Sequence, residues 1–355
     1  MHYIIILLMK DIKGKNMKKI IAISIIIILL VISLSGCNSW VWDPFKWKGI
    51  GRWSIGIYAG DSPLNFSSPR NIKNPVLTAD DVTDSNAWIV ADPFMIQENS
   101  IWYMFFEVWN YIDHQADVAV ATSYNGFNWT YKQIVINEPN TSLSYPQVFK
   151  WDNEFYMIPA SYGEEGVRLY KAINFPYNWS FEGNLIEGSF CDPTIFRYNN
   201  MWWMFVCSTP KKMDTLSIYY SDNLKGPWAE HPENPIIKGD PNIARPGGRV
   251  IVLDNQIIRY TQDDYPTYGN QIRAFIITQL TPSVYEEEEY ETPILKGSGT
   301  GWNADGMHTI DPHQIEENQW IACVDGYDKN YYITHDKSKL IDLMISPYSD
   351  SLIYI

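Results

Sequence analysis

Positive charge is scarce in this chain: 27 Lys and Arg stand against 41 Asp and Glu, a formal net charge of −14 over 355 residues. A surface of that sign repels phosphate polymers and anionic headgroups, so nucleic acid is excluded as an expected partner. Cysteine is scarce too, with four in all and neither a CxxC nor an HExxH spacing, which leaves no ready zinc or dithiol motif. Sustained helical periodicity with caps is missing after Trp40, which points away from α and α/β classes. Long apolar runs are missing as well, apart from one near the N-terminus.

What is abundant is aromatic residues, 15% of the chain with 15 Trp and 24 Tyr, and they recur in a pattern. One phrase appears five times around a proline: ADPFMIQENSIWYMFF from Ala91, SYPQVFKWDNEFYMI from Ser144, CDPTIFRYNNMWWMF from Cys191, ARPGGRVIVLDNQIIRY from Ala244 and IDPHQIEENQWIACV from Ile310. The prolines are Pro93, Pro146, Pro193, Pro246 and Pro312, at steps of 53, 47, 53 and 66 residues. Each copy holds an apolar run, a polar turn and an aromatic run, the grammar of a β-hairpin. A second phrase follows in four copies, from Val118, Val167, Leu216 and Ile272, and adds the outer strands. About four strands per unit is one propeller blade, so an all-β, five-bladed propeller is expected.

The copy at Ile310 has no good second phrase after it. A fifth second phrase, WSIGIYAGDSPLNF from Trp53, stands at the other end of the chain. The N-terminal strands are therefore expected to complete the last blade and close the ring, leaving no free edge there. Closure by residues 331–334 is the alternative.

Residues 1–36 read as a secretory address: Lys18 and Lys19, an apolar run over 20–34, then Leu34-Ser35-Gly36-Cys37. That ending is similar to the bacterial lipobox, which implies lipidation at Cys37 and a true start at Met17; an uncleaved helical anchor is the alternative. Residues 37–52 then form a tether, and 53–355 a single propeller outside the cytoplasm, expected as a monomer held at the membrane. Loss of residues 1–36 removes five Lys and one Asp and takes the net charge from −14 to −18. Cys191, Cys207 and Cys323 remain, an odd set read as buried thiols, with one disulfide left open.

In a propeller the innermost strands start near one mouth of the central channel. The residues before the five prolines, Asp92, Tyr145, Asp192, Arg245 and Asp311, are therefore expected to converge there. Asp-Pro is also a common strand-entry turn, in which the carboxylate caps its own loop. ADPF, the strand ending Phe105-Phe106-Glu107, and Cys191-Asp192-Pro193 resemble the five-bladed glycosidases of the family 43 and arabinanase/levansucrase/invertase group. ADPFMI…WYMFFE, YMIP…VRLYKA and CDPTIF…WWMF resemble more closely the propeller domain found beside some glycosyl- and formyltransferases, including the N-terminal region of glucosamine inositolphosphorylceramide transferases.

The glycosidase resemblance implies a base at Asp92, a pKa-tuning acid at Asp192 and a third, acidic residue where this chain has Arg245. An inverting glycosidase needs a proton-giving carboxyl, and arginine does not deprotonate. Glu107, Asp311, Asp263 and Asp264 are the candidate substitutes, in that order. The transferase-associated resemblance implies Glu at Ala160. His308 and His313 bracket Asp311, and family 43 implies that a channel histidine helps hold an ion. Trp109, Tyr111, Tyr162, Tyr265, Tyr268 and Trp302 are candidate stacking faces for sugars. The expected function is a glycoside hydrolase-like enzyme using Asp92, Asp192 and Glu107, with Arg245, Asp311, His308, His313, Tyr145 and Trp109 binding an oligo- or polysaccharide or glycoconjugate. A glycan-binding propeller without the acid is the alternative. No cofactor and no catalytic metal are expected, with a structural calcium in the channel left open.

Overall fold

The computed structural model describes residues 51–162, 166–254 and 256–330; Cys37, the apolar run and residues 331–334 lie outside them. Helix among the described residues is confined to two short 3-10 turns, Ala79–Asp81 and Gly301–Asn303. The strands build five antiparallel sheets, the blades of the expected propeller. The leading hairpins pair Ala87–Glu98 with Ile101–Asn110 in blade one, Ser142–Trp151 with Glu154–Tyr162 in blade two, and Cys191–Tyr198 with Met201–Cys207 in blade three. Blade four splits its inner strand into Arg245–Pro246 and Ile251–Leu253, beside Gln256–Asp263, and blade five pairs Ile310–Glu316 with Gln319–Asp328.

The hairpins close as the turn residues dictate. Asn99-Ser100, Asp152-Asn153 and Asn199-Asn200 all take left-handed φ values between 49° and 64°. Two consecutive positive φ angles define the type I′ turn, whose twist matches the flanking strands and which Asn and Asp tolerate best.

The ring closes through the displaced N-terminal copy. Arg52–Ser62 runs antiparallel to Gln319–Asp328 from Arg52↔Asp328 to Gly60↔Trp320, and Asn65–Ser67 adds the outermost strand. The core follows from this arrangement as five apolar wedges, one between each pair of neighbouring blades. Blade four departs at Gly247-Gly248. A Cβ on Gly248 would stand 1.8 Å from the Ile310 carbonyl oxygen, so only glycine lets blade four's chain lie against blade five.

Candidate functional site at the channel mouth

The first layer of the site comes from the residues before the repeat prolines. In blades one to three the ladder slips by one residue at this point, between Ala91 and Phe94, Ser144 and Gln147, and Cys191 and Thr194. Asp92, Tyr145 and Asp192 sit in the slips with φ of 51°, 48° and 49°. A bulge re-aims the side chain it carries, and a non-glycine residue held at such φ costs about 1–3 kcal/mol that the surroundings must offset. All three side chains are buried, and Asp92 and Asp192 lie close enough to repel each other.

The second layer comes from the neighbouring strand. Counted from its first residue, the seventh position is Glu107, Ala160, Cys207, Gln262 and Asp325 in the five blades. All five are buried. Of these, the sequence reading singled out Glu107 and missed Gln262 and Asp325, although the same count along the fourth and fifth repeats reaches both.

Arg245 fills the centre. Its Nε donates to Asp192 Oδ2, its Nη1 lies 3.6 Å from Asp264 Oδ2, and its guanidinium stands 5.1 Å from the Tyr268 ring centroid. Gln262 Nε2 donates to the same Asp192 oxygen at 2.7 Å. Three acceptors in this group, Asp192 Oδ1, Gln262 Oε1 and Asp264 Oδ2, are buried and accept no hydrogen bond from the described residues. Tyr162 lies half-exposed at the rim, with its phenol in reach of the Arg245 and Asp192 charges.

Opposite lies a carboxyl pair. Glu107 and Asp92 share a hydrogen bond, so one of them carries the proton. Burial, then the Asp92 charge, holds Glu107 well above the ordinary carboxylate range. Burial also raises Asp92, while the charge of His308 and the Thr309 hydroxyl, which donates to Oδ1 at 2.6 Å, pull it down. Glu107 is accordingly the protonated member and Asp92 the carboxylate.

His308 is fixed from three sides. Its Nδ1 lies 2.6 Å from Asp325 Oδ2, its Nε2 lies 3.8 Å from Asp92 Oδ1, and Trp53 stacks on it at 3.9 Å between centroids. Burial works against its charge, but Asp325 and Asp92 outweigh that and raise its pKa. Asp325 also accepts from the amides of Asp92, His308 and Thr309 at 3.1, 2.9 and 2.9 Å. Burial pushes Asp325 up, yet His308 and these amides hold it below the ordinary range. Ligand atoms of Asp92, His308 and Asp325 fall within 4.8 Å of one another, near enough to hold a metal ion. In the structure His308 pairs with Asp325, Asp325 accepts from backbone amides, and Asp92 accepts from the Thr309 hydroxyl.

Asp311 departs from its expected place, and His313 goes with it. Blade five runs without the slip, Ile310↔Val324, Asp311↔Cys323, Pro312↔Ala322, so Asp311 matches Gln147 of blade two rather than Asp92. Both do the same work one level below the mouth. Gln147 Oε1 accepts from the Ile195 amide at 2.7 Å, and Asp311 Oδ2 from the Met95 amide at 2.6 Å. Arg249 Nε donates to Asp311 Oδ1 at 2.6 Å, and its Nη2 reaches the Met95 and Val148 carbonyls at 3.3 and 3.0 Å. His313 Nε2 lies 2.9 Å from Asp311 Oδ2.

Other candidates divide. Tyr145 bonds Thr194 at 3.0 Å and feels both Asp192 and Asp92. Trp109 and Tyr111 join Trp53, Trp88 and Tyr268 in an aromatic cluster by the mouth, where the buried Trp109 Nε1 finds no acceptor among the described residues. Tyr265 is exposed. Asp263 turns to Gln271 and Arg273 at 2.6 and 2.9 Å, and Trp302 covers Gly56 and Gly326.

Comparison with known proteins agrees with this architecture. The chain is 35% identical over 300 residues to glucosamine inositolphosphorylceramide transferase 1 of Oryza sativa subsp. japonica, covering 78% of this chain and 40% of the relative. It is 33% identical over 298 residues to the transferase of the same name from Arabidopsis thaliana, covering 78% and 39%. The chain thus spans about 40% of the length of the curated relatives it matches. Among solved structures it is similar in fold to a glycosyl hydrolase from Bacteroides ovatus (TM-score 0.53, 12% identity, 72% of this chain and 92% of that one). A GH32 β-fructofuranosidase of Bombyx mori gives a TM-score of 0.52 at 14% identity, over 68% of this chain and 58% of that one. The model of the family described as glucosamine inositolphosphorylceramide transferase 1, N-terminal, matches residues 46–327, and the chain belongs to that family.

Proposed function

We propose that the channel mouth takes the end of a glycan or glycoconjugate and acts on it through one proton-exchanging carboxyl pair, Asp92 and Glu107. The observation that carries this reading is the set of buried acceptors around Arg245: Asp192 Oδ1, Gln262 Oε1 and Asp264 Oδ2. An unsatisfied buried acceptor costs about 1–3 kcal/mol, and sugar hydroxyls are donors that remove that cost. Tyr162, Trp109 and Tyr268 offer ring faces to the apolar side of a sugar. The relatives named glucosamine inositolphosphorylceramide transferase 1 and the structures similar in fold named as a glycosyl hydrolase and a β-fructofuranosidase support a carbohydrate ligand.

In this reading Glu107 gives its proton to the leaving oxygen, and the proton released by the attacking water returns to the Asp92–Glu107 pair. Two carboxyls that share a hydrogen bond cannot straddle a glycosidic bond, which needs about 5–9.5 Å between them. Hydrolysis would therefore draw its second carboxylate from Asp192. Arg245, locked onto Asp192, favours a second reading in which the mouth binds a glycan without cleaving it.

An oligosaccharide and aryl-glycoside panel separates the two readings. If the site is catalytic, Asp92→Asn keeps glycan binding and loses turnover by about 10²–10⁴-fold. If it only binds, the wild type shows affinity without turnover, and Gln262→Leu weakens that affinity. Absence of binding to every glycan in the panel overturns the proposal. The lipid tether at Cys37, which places the propeller on the outer face of a membrane, belongs to the same reading. Labelled fatty acid should enter the wild type, and Cys37→Ala should free the chain; retention of that variant without label speaks for a helical anchor instead.

A further inference from the structure

Cys207 occupies the seventh strand position, which carries Glu107, Gln262 and Asp325 in other blades and faces the mouth there. Its direct cross-strand partner is Cys191, the residue next to Asp192. The Cys191 thiol donates to the Cys207 carbonyl oxygen at 3.8 Å. Both are free and buried. Residues directly opposed in an antiparallel ladder stand about 4.5–5.5 Å apart at Cα, inside the range of about 4.4–6.8 Å that a disulfide spans. Cys323 instead donates to the Pro93 carbonyl at 3.3 Å, on the blade-five side of the channel.

We propose that Cys191 and Cys207 are a two-electron redox pair at the channel mouth, joined into a cross-strand disulfide by a peroxide and reopened by a thiol reductant. The environment separates the two sulfurs. The Cys191 contact, then the Thr209 amide and the Arg245 charge, draw the Cys207 thiol below its ordinary range against the effect of burial. The Cys207 contact and burial push Cys191 up. Cys207, at the strand position that faces the mouth in other blades, is accordingly the attacking sulfur, and Cys191, whose thiol proton is held on the Cys207 carbonyl oxygen, the resolving one.

The chemistry balances with hydrogen peroxide as oxidant. The Cys207 thiolate attacks one peroxide oxygen, the O–O bond breaks, and the hydroxide that leaves takes up the proton the thiol had released, giving a sulfenic acid and one water. Cys191 sulfur then displaces the sulfenic oxygen, which leaves as a second water with the Cys191 proton. Two thiols lose two electrons, and one peroxide is reduced to two waters. The new bond ties the first residue of the Asp192 strand to its neighbour, across the slip that holds Asp192 against Arg245.

The test uses the full chain, reduced, treated with hydrogen peroxide, then denatured, alkylated and peptide-mapped. Cys191 and Cys207 should lose alkylation together and appear as one cross-linked peptide, lighter by two hydrogen atoms, that dithiothreitol reopens. Cys191→Ser should leave Cys207 as a sulfenic acid that dimedone traps. Equal alkylation of both cysteines before and after peroxide overturns the proposal, as does a disulfide from Cys207 to Cys323. The readout is independent of any glycan, so its failure leaves the reading of the mouth untouched.

Discussion

Two buried charged clusters lie along the channel, one at the mouth and one a level below, and they differ in how completely they are satisfied. The lower cluster is closed: both oxygens of Asp311 are engaged, by the Met95 amide, Arg249 and His313, and Arg249 goes on to two backbone carbonyls. Burial raises the Asp311 pKa, yet Arg249 and His313 hold it below the ordinary range, the mark of a carboxylate whose charge is fully compensated. At the mouth, by contrast, Asp192, Gln262 and Asp264 each keep an acceptor without a hydrogen-bond donor among the described residues, and Glu107 is kept neutral beside Asp92. The two clusters use the same residue types. A closed set ties blades together, whereas an open set has capacity left for a ligand.

Breaking the lower cluster should cost the fold most. Asp311→Ala leaves Arg249 half-buried without its carboxylate and frees the Met95 amide, a change expected to destabilise by about 3–5 kcal/mol. Chemical denaturation measures this. A loss below about 1 kcal/mol would erase the distinction drawn between the clusters.

Glu107→Gln should have the opposite sign and a smaller size. Above the ordinary Glu value of 4.5 the unfolded chain releases this proton while the folded chain retains it, so wild-type stability falls as pH rises toward the folded pKa. The glutamine variant lacks that slope. The Tm difference in its favour should open above about pH 4.5 and level off once pH passes the folded pKa. A pH-independent difference would show that the Asp92–Glu107 pair does not hold the proton.

Asp264→Asn should affect the fold least. Its Oδ1 still accepts from the Gly269 amide at 2.9 Å, and Arg245 keeps Asp192, so stability should change by less than about 1 kcal/mol. Glycan affinity should weaken in the same variant, measured by calorimetry. Unchanged affinity would remove Asp264 from the ligand-facing set.

Much of this was legible from the chain. The phrases around Pro93, Pro146, Pro193, Pro246 and Pro312 mark the blades, and the stray copy at Trp53 marks the closure, because strand periodicity and turn chemistry are local properties. Asp92, Tyr145, Asp192 and Arg245 were found from their place before a proline. Asp311 was misplaced for a definite reason: blade five lacks the one-residue slip, so Asp311 pairs in the ladder with Cys323, where blade two carries Gln147, instead of standing in a bulge at the mouth. Asp325 and Gln262 lie at the same count from their hairpin turns as Glu107, but neither precedes a repeat proline, so no local turn chemistry marks them. Trp53 on His308 was out of reach, since the two are far apart in sequence and meet only through closure.

By itself, then, the sequence determined the number of blades, the hairpins within them and the strand that closes the ring, because each depends on alternation, turn residues and repeat length within one unit. Only the tertiary structure decided which carboxyl is protonated, which arginine neutralises which acid, and which acceptors stay open. Those depend on distances of a few ångströms between blades, set by the slips in individual ladders and by burial, and no single repeat encodes them.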